Sequence, residues 1–204
     1  MEKKEKLLEL AAQVEKCTRC DLYKSANHAV PGEGSPTAEI VFIGEAPGFH
    51  EDAKGLPFVG NAGKYLDLLL SKVGLKREEV FITNVVKHRP PQNRDPAPNE
   101  VVACNGWLDA QLSIISPKII VTLGKWSLNR YLPQKKISEI HGEPFQIQNV
   151  VVIPMYHPAA ALRSSKLAAE LEDDFLKNKR LMQKPQLAGQ TAQSLGESGQ
   201  GSLF

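Results

Sequence analysis

The chain has 204 residues, of which 42% are hydrophobic and 24% are charged, and its formal net charge is +2. This composition is typical of a soluble globular protein, and no apolar run approaches the roughly 20 residues needed to span a membrane. Residues 1–6 lack the apolar core of a signal peptide, so we expect a cytoplasmic protein, and we expect a monomer. The small positive charge is compatible with a polyanionic partner but does not require one.

An amphipathic helix and a pair of cysteines open the chain. Residues 2–16 carry apolar side chains at helical spacing among charges, and Cys17 and Cys20 follow directly. Two thiolates at this spacing reach one metal centre, and their position after a helix favours a metal over a redox pair. Cys104 and His88 could complete a four-ligand set. In the alternative interpretation, Cys104 is a small core residue and His88 is a surface or DNA-facing side chain.

A buried strand and a sharp turn come next. The apolar run Ile40–Ile43 predicts a strand, and Gly44-Glu45-Ala46-Pro47-Gly48 turns the chain at its carboxyl end, where open parallel sheets bind ligands. Glu51 and the aromatic Phe58 lie in the Gly-rich stretch that follows. Carboxylates and an aromatic face on tight backbone predict a pocket for a flat polar ring. The alternative is an ordinary strand-to-helix loop.

The remainder of the chain alternates strands and helices, apart from an irregular or hairpin insertion at Lys135–Gln148. This alternation predicts a three-layer α/β/α sandwich around a central four-stranded, mainly parallel sheet. The predicted helices cover Ala62–Val73, Asn99–Ser116 and a segment capped by Ser164 or Ser165, and the predicted strands cover Val80–Thr83, Ile119–Leu123 and Val150–Met155.

Polar residues follow three of the four predicted strands. Glu45 follows the first, Asn84 the second and His157 the fourth. Because parallel strands end at the same edge of a sheet, we expect a carboxylate, an amide and an imidazole to converge there. Each residue alone is weak evidence, since strand ends need polar terminators anyway.

The last 20 residues differ in composition from the rest. Residues 185–204 are mostly Gly, Gln, Ser and Ala, which predicts a disordered tail after a folded domain at residues 1–184. The tail ends in two large apolar residues, in Gln200-Gly201-Ser202-Leu203-Phe204. This pattern suggests a short docking peptide on a polar tether.

Taken together, these residues resemble the family 4 uracil-DNA glycosylases over roughly residues 5–183. The resemblance is carried, in order, by Cys17-Thr18-Arg19-Cys20, Gly44–Gly48 with Glu51-Asp52, Pro57-Phe58-Val59-Gly60, Thr83-Asn84-Val85-Val86-Lys87, Arg89-Pro90-Pro91, Asn93-Arg94, Cys104 and His157-Pro158-Ala159. It implies hydrolysis of the bond between deoxyribose and uracil in DNA, the first step of base excision repair.

The resemblance also implies a role for each pocket residue. Phe58 would stack on the flipped base, and Gly44 and Ala46 would line its pocket. The Asn84 amide would accept from uracil N3–H and donate to O4, a pattern that cytosine reverses. His157 would donate to O2 as the uracil anion forms, and Glu45 would position water and offset the cationic sugar. Glu51 would assist catalysis or narrow the pocket against the thymine methyl.

For DNA binding, the resemblance implies basic phosphate contacts and an apolar wedge. Leu162 would fill the gap left by the flipped base, although packing at a helix start is the alternative. The family commonly has Leu where this chain has Ala161, which blunts the wedge. The candidate phosphate contacts are Lys87, Arg89, Arg94 and Arg163.

The family usually has a fourth cysteine where this chain has His88. The resemblance implies a [4Fe–4S] cluster held by Cys17, Cys20, His88 and Cys104, since imidazole can replace thiolate on iron, and zinc is the competing metal. A relative with the same histidine traps its product covalently through an inserted basic loop that is missing from this sequence, so we expect ordinary turnover. The C-terminal peptide resembles those that bind bacterial sliding clamps.

Two other classes of protein are the alternatives. A non-catalytic DNA-binding module that senses damage would have the same fold and metal centre, but would bind uracil-containing DNA without releasing the base. A nucleotide-binding α/β enzyme would need a phosphate-binding Gly-rich loop, and the sequence has no Gly-x-x-x-x-Gly-Lys-Ser/Thr run.

Overall fold

The computed structural model describes residues 2–188 and forms three layers, with a sheet between two sets of helices. The strands are β1 (Glu33–Gly34), β2 (Ile40–Gly44), β3 (Phe81–Asn84), β4 (Ile119–Leu123), β5 (Phe145–Ile147) and β6 (Val150–Met155). The helices are α1 (Lys3–Glu15), α2 (Phe49–Lys54), α3 (Asn61–Lys72), α4 (Pro98–Ile115), α5 (Lys125–Asn129), α6 (Ile137–Ile140), α7 (Pro158–Ala161), α8 (Ser165–Lys177) and α9 (Lys179–Gln183).

The sheet has six strands in the order β1-β3-β2-β4-β6-β5. The inner four strands are parallel, and each edge strand pairs antiparallel with its neighbour. The predicted four-stranded sheet is therefore correct for the parallel core but wrong in strand number. The two extra strands are too short for their sequences to predict a strand, since β1 has two residues and β5 has three. One of them, β5, lies in the predicted insertion and forms a hairpin with β6.

Both faces of the sheet are covered because its inner strands are apolar on both sides. In β2, Ile40 and Phe42 face one core, whereas Val41 and Ile43 face the other. The first core includes residues of α3 and α8, and the Phe42 ring stacks on Phe175 of α8 with centroids 6.1 Å apart. The second core includes residues of α1 and α4. This two-sided burial produces the predicted three-layer sandwich.

Two details of the chain ends bear on the predictions. The folded domain continues past residue 184, because Pro185–Leu187 forms a 3-10 turn and the buried side chain of Ala188 joins the core. The predicted start of the tail is therefore wrong by at least four residues. The C-terminal peptide Gln200–Phe204 lies outside the described residues. Within residues 2–188, no helix is both long and apolar enough to cross a membrane.

Candidate active site

A cleft of about 410 Å³ opens at the carboxyl ends of the parallel strands. From β2 the chain continues to β3 on one side of β2 and later to β4 on its other side, so strand order reverses at β2. In open α/β sheets, ligands bind at the carboxyl ends of the strands beside such a reversal. Among its lining residues are Glu45, Ala46, Glu51, Phe58, Asn84, Arg94, His157 and Arg163. A larger cleft of about 1230 Å³ lies along α4 and contains none of the predicted site residues. We therefore place the site in the smaller cleft.

Asn84 ends β3 with its side chain against the β2 turn. It is 1% exposed, and its Oδ1 has no hydrogen-bond partner within residues 2–188. A buried amide oxygen without a partner costs free energy, so its presence at a cleft indicates an acceptor that waits for a ligand. Gly44 makes room for it: a Cβ there would overlap Asn84 Oδ1 and lie 2.6 Å from the Phe58 ring.

Phe58 forms an apolar wall of the cleft in a strained backbone conformation. Its φ is +51°, a region that non-glycine residues rarely adopt, and its side chain is 5% exposed. Two residues hold it there. The Arg77 guanidinium donates to the Phe58 carbonyl at 3.2 Å and also to the Pro57 carbonyl. Gly63 of α3 lets the Phe58 carbonyl approach, since a Cβ at Gly63 would overlap it.

His157 follows β6 and lies beside the Phe58 ring, with ring centroids 5.5 Å apart. Its Nδ1 accepts the Ala159 backbone N–H at 3.0 Å, and burial lowers the pKa of His157 to about 4. The neutral ring accepts at Nδ1, so its proton is on Nε2, where it can donate to a ligand. Gly124 at the end of β4 allows this placement, since a Cβ there would approach His157 Cβ at 3.2 Å.

Glu45 is the first residue after β2. Burial, reinforced by the charge of Asp95, raises the pKa of Glu45 to about 7, while Lys125 acts in the opposite direction. Asp95 also lines the cleft, and its carboxylate accepts the Trp126 indole N–H at 3.2 Å. A carboxyl group with a pKa near neutrality in a cleft is suited to electrostatic or general-base chemistry.

The carboxylate of Glu51 is occupied by backbone donors. Its Oε1 accepts from Val59 N–H at 2.8 Å and Gly60 N–H at 2.9 Å, and its Oε2 accepts from Gly48 N–H at 3.1 Å. Glu51 thus joins the turn after β2 to the loop that carries Phe58. Its partners indicate a positioning residue at the wall of the cleft.

Three of the four basic residues predicted to contact DNA are accessible. Arg163 is exposed at the rim of the cleft. Arg94 also lines it and is paired with Glu100 through bonds of 2.9 and 2.7 Å. Arg89 is half-buried and donates to Asn93 Oδ1 at 2.7 Å. Leu162 is 51% exposed beside Arg163, so it is free of the packing that the alternative interpretation required.

The structure contradicts the predicted phosphate contact of Lys87. Its side chain is fully buried and bonded to three protein acceptors, so it cannot reach a phosphate. Burial lowers the pKa of Lys87 to about 7. The sequence shows a lysine in a basic loop, but the chain has not yet left the core at this position.

The three cysteines lie near one another but not as a ligand set. Burial raises the pKa of the Cys104 thiol to about 11, and the charges of Cys17 and Cys20 add to this effect. The Trp107 indole N–H donates to Cys17 Sγ at 3.1 Å. Within residues 2–188, however, no group of three or more Cys, His, Asp or Glu side chains is arranged to hold a metal ion.

His88 also departs from the predicted ligand set. Its side chain is buried, which lowers the pKa of His88, and the charge of Asp52 acts on it in the opposite direction. The four-ligand set therefore stays a prediction, because within residues 2–188 these side chains are not arranged around a common metal position.

Sequence reasoning missed three residues that shape the site: Arg77, Gly63 and Asp95. Asp95 adjoins the basic motif and could have been found as a carboxylate next to Arg94. Arg77 and Gly63 carry no local signal, because each acts on Phe58 from a separate segment.

Comparison with known proteins agrees with the geometry. Residues 31–182 match the model of the Uracil DNA glycosylase superfamily. A type-4 uracil-DNA glycosylase from Saccharolobus solfataricus is 48% identical over 85% of this chain and 85% of its own length. Those from Sulfurisphaera tokodaii and Archaeoglobus fulgidus are 47% and 46% identical, over 86% and 89% of this chain and 84% and 96% of their own. The chain therefore belongs to the uracil DNA glycosylase superfamily, and to the type-4 family within it.

Proposed function

We propose that the protein hydrolyses the N-glycosidic bond of deoxyuridine in DNA, leaves an abasic site and so initiates base excision repair. The observation that carries the proposal is the buried Asn84 Oδ1 that has no partner within residues 2–188, in a cleft shared with Phe58, His157 and Glu45. The names of the type-4 relatives agree with it.

Uracil recognition follows from the donor and acceptor pattern. Asn84 Oδ1 would accept from uracil N3–H and the Asn84 amide nitrogen would donate to O4, with the base against the Phe58 ring. Cytosine has an acceptor at N3 and an amino group at position 4, so it would leave buried groups unpaired on both sides. Such a mismatch supports discrimination of about four or five orders of magnitude in favourable sites.

Departure of the base places negative charge on the uracil ring. Neutral His157, with its proton on Nε2, would donate to O2 as that charge develops. Because the donor is already neutral, the bond can strengthen without a proton transfer.

The sugar becomes cationic as the C1′–N1 bond breaks, with the bonding electron pair leaving on uracil. Glu45 as a carboxylate would stabilise that cation and orient a water molecule towards C1′. The new C1′–O bond forms with loss of the water proton, and the uracil anion takes up a proton after departure. Glu45 lines the cleft, which supports this role.

DNA must present the base outside the helix, since the cleft can receive only a flipped nucleotide. Leu162 and Arg163 at the rim would fill the vacated space and contact phosphate, and Arg89 and Arg94 would make further phosphate contacts. Glu51, whose oxygens hold three backbone amides, would act as a positioning residue.

A [4Fe–4S] cluster is a separate part of the proposal. It is supported by the electrostatic effect of Cys17 and Cys20 on the Cys104 thiol, which indicates that the three thiols lie near one another, and His88 is proposed as the fourth ligand. Iron and sulfide content with visible absorbance tests it, and stoichiometric zinc without iron would favour the alternative metal. Binding of a sliding clamp by Gln200–Phe204 is also proposed; a clamp pull-down unchanged by removal of these residues would contradict it.

The test of activity is base release from uracil-containing oligonucleotides, single- and double-stranded, by wild type, Glu45→Gln and His157→Ala. We expect release by wild type and losses of at least about a hundredfold in each variant, the size typical of such groups. Lys136→Gln, an exposed change, serves as the control. Tight binding without release would favour the damage-sensing module, and a denaturation-resistant protein–DNA adduct would contradict ordinary turnover.

A further inference from the structure

Lys87 lies directly beneath the uracil-recognition residue. Its Nζ is 2.9 Å from the Asn84 backbone oxygen, 2.7 Å from Thr83 Oγ1 and 2.7 Å from Gln111 Oε1. A lysine ammonium has three N–H donors, and each has an acceptor here. The side chain therefore folds back under β3 instead of leaving the core.

These bonds fix the end of β3 from below. Asn84 pairs with Gly44 in the sheet, and the next two residues donate to β2, Val85 N–H to the Gly44 carbonyl at 3.0 Å and Val86 N–H to the Glu45 carbonyl at 3.1 Å. The Asn84 carbonyl itself is taken by Lys87 Nζ. The peptide plane that follows Asn84 is thus held on both sides, which fixes the backbone from which the side-chain amide projects.

The same group anchors β3 to two other segments. Gln111 of α4 donates through Nε2 to the Pro31 carbonyl at 2.5 Å, and Thr83 Oγ1 lies 3.0 Å from the same carbonyl. In addition, Val30 N–H donates to the Lys87 carbonyl at 2.7 Å. Lys87 is the point where the pocket strand, α4 and the loop at Pro31 meet.

Stability alone does not account for a lysine at this position. Desolvation of a buried ammonium opposes folding, and an apolar side chain of similar volume would avoid that cost. What an apolar side chain could not do is hold the Asn84 carbonyl.

We propose that Lys87 is a positioning residue for uracil recognition, which orients the Asn84 amide through the Asn84 backbone carbonyl. The inference rests on the proposed function and deepens it. Loss of Nζ is expected to let the amide turn away from the base while Phe58, His157 and Glu45 keep their places.

The test uses two readouts, so that failure of the inference and failure of the proposed function can be told apart. Equilibrium binding compares an oligonucleotide that contains 2′-fluoro-2′-deoxyuridine, whose glycosidic bond resists cleavage, with the matched cytosine oligonucleotide. Base release from a deoxyuridine oligonucleotide is measured separately. Only the second readout requires catalysis, so absence of release by wild type would overturn the proposed function and leave the binding comparison intact.

For Lys87→Met we expect the uracil-over-cytosine preference in binding to fall by about tenfold, the worth of one hydrogen bond, and release to fall by tenfold to about a hundredfold. In the Asn84→Ala background, Lys87→Met should have no further effect on preference. Leu171→Ala, a buried change on the other face of the sheet, controls for lost stability and should keep the preference.

An unchanged preference in folded Lys87→Met would overturn the inference, as would an equal loss in the Asn84→Ala background. If Lys87→Met does not fold, Lys87→Gln takes its place in the same cycle, because its shorter side chain cannot reach all three acceptors. Retention of the wild-type preference by folded Lys87→Gln would likewise overturn the inference.

Discussion

Gly44→Ala tests whether the pocket depends on the close approach of Asn84 and Phe58 to the β2 turn. The new methyl group would lie 2.6 and 2.7 Å from two atoms of the Phe58 ring and would overlap Asn84 Oδ1. Carbon atoms in contact prefer about 3.5–4.0 Å, so the ring or the turn must move by about 1 Å. Overpacking of this kind costs about 1–3 kcal/mol of stability, and a displacement of about 1 Å at a reacting centre costs about a hundredfold in rate.

The assay measures kcat/KM for uracil release together with the melting temperature. Gly106→Ala is the matched control: Gly106 is in α4, and the nearest atom to a Cβ there is Arg19 Nη1 at 3.4 Å. We expect Gly106→Ala to keep its activity and to gain up to about 1 kcal/mol of stability, because Ala is the better helix former. Wild-type kcat/KM in Gly44→Ala would refute the reasoning that this contact shapes the uracil pocket.

Three further outcomes are expected. The pKa of Glu45 is raised to about 7 and its carboxylate is the proposed active form, so single-turnover rates should rise with pH through about 7. Asp95→Asn removes a repelling charge and should move this rise to lower pH, whereas an unmoved pH profile would exclude Asp95 as a cause of the raised pKa. Arg77→Met removes the hydrogen bond to the Phe58 carbonyl, so the rate of uracil release should fall by roughly tenfold, the worth of one charged hydrogen bond. Full activity in this variant would mean that Gly63 and Glu51 hold the Phe58 loop without Arg77. Leu162→Ala should slow uracil release from duplex DNA more than from single-stranded DNA, and equal losses on both substrates would contradict a wedge. Leu176→Ala, which changes another exposed leucine, is the control and should leave release from both substrates unchanged.

The sequence was sufficient for the parallel core because its signals are local. Each inner strand is a short apolar run bounded by turn residues, and the buried Ile40–Ile43 alternates between the two cores as a two-sided strand must. The two antiparallel edge strands were missed for the opposite reason. Glu33–Gly34 and Phe145–Ile147 form strands only because a neighbour offers a free edge, which is a tertiary effect.

The candidate site likewise has residues that the sequence predicts and residues that only tertiary packing reveals. Glu45, Asn84 and His157 could be placed together from the alternation of strands and helices, since each lies at the carboxyl end of a parallel strand. Lys87 was misassigned because a lysine near two arginines looks like surface charge, and only the packing of Gln111 above it shows that it is buried. His88 illustrates a related limit: ligand spacing in sequence gives no direction for a side chain, and here its neighbouring charge is Asp52.

One physical cause sets both titrations in the cleft. Burial disfavours charge, so it raises the pKa of Glu45 to about 7 and lowers that of His157 to about 4. In the free enzyme this leaves a carboxylate that ionises at some cost and an imidazole that stays neutral near pH 7. In the proposed reaction, the transition state for base release would place a cationic sugar beside Glu45 and an anionic uracil oxygen beside His157. Both interactions would then be stronger in the transition state than in the ground state, which is the condition for raising the rate instead of only tightening binding.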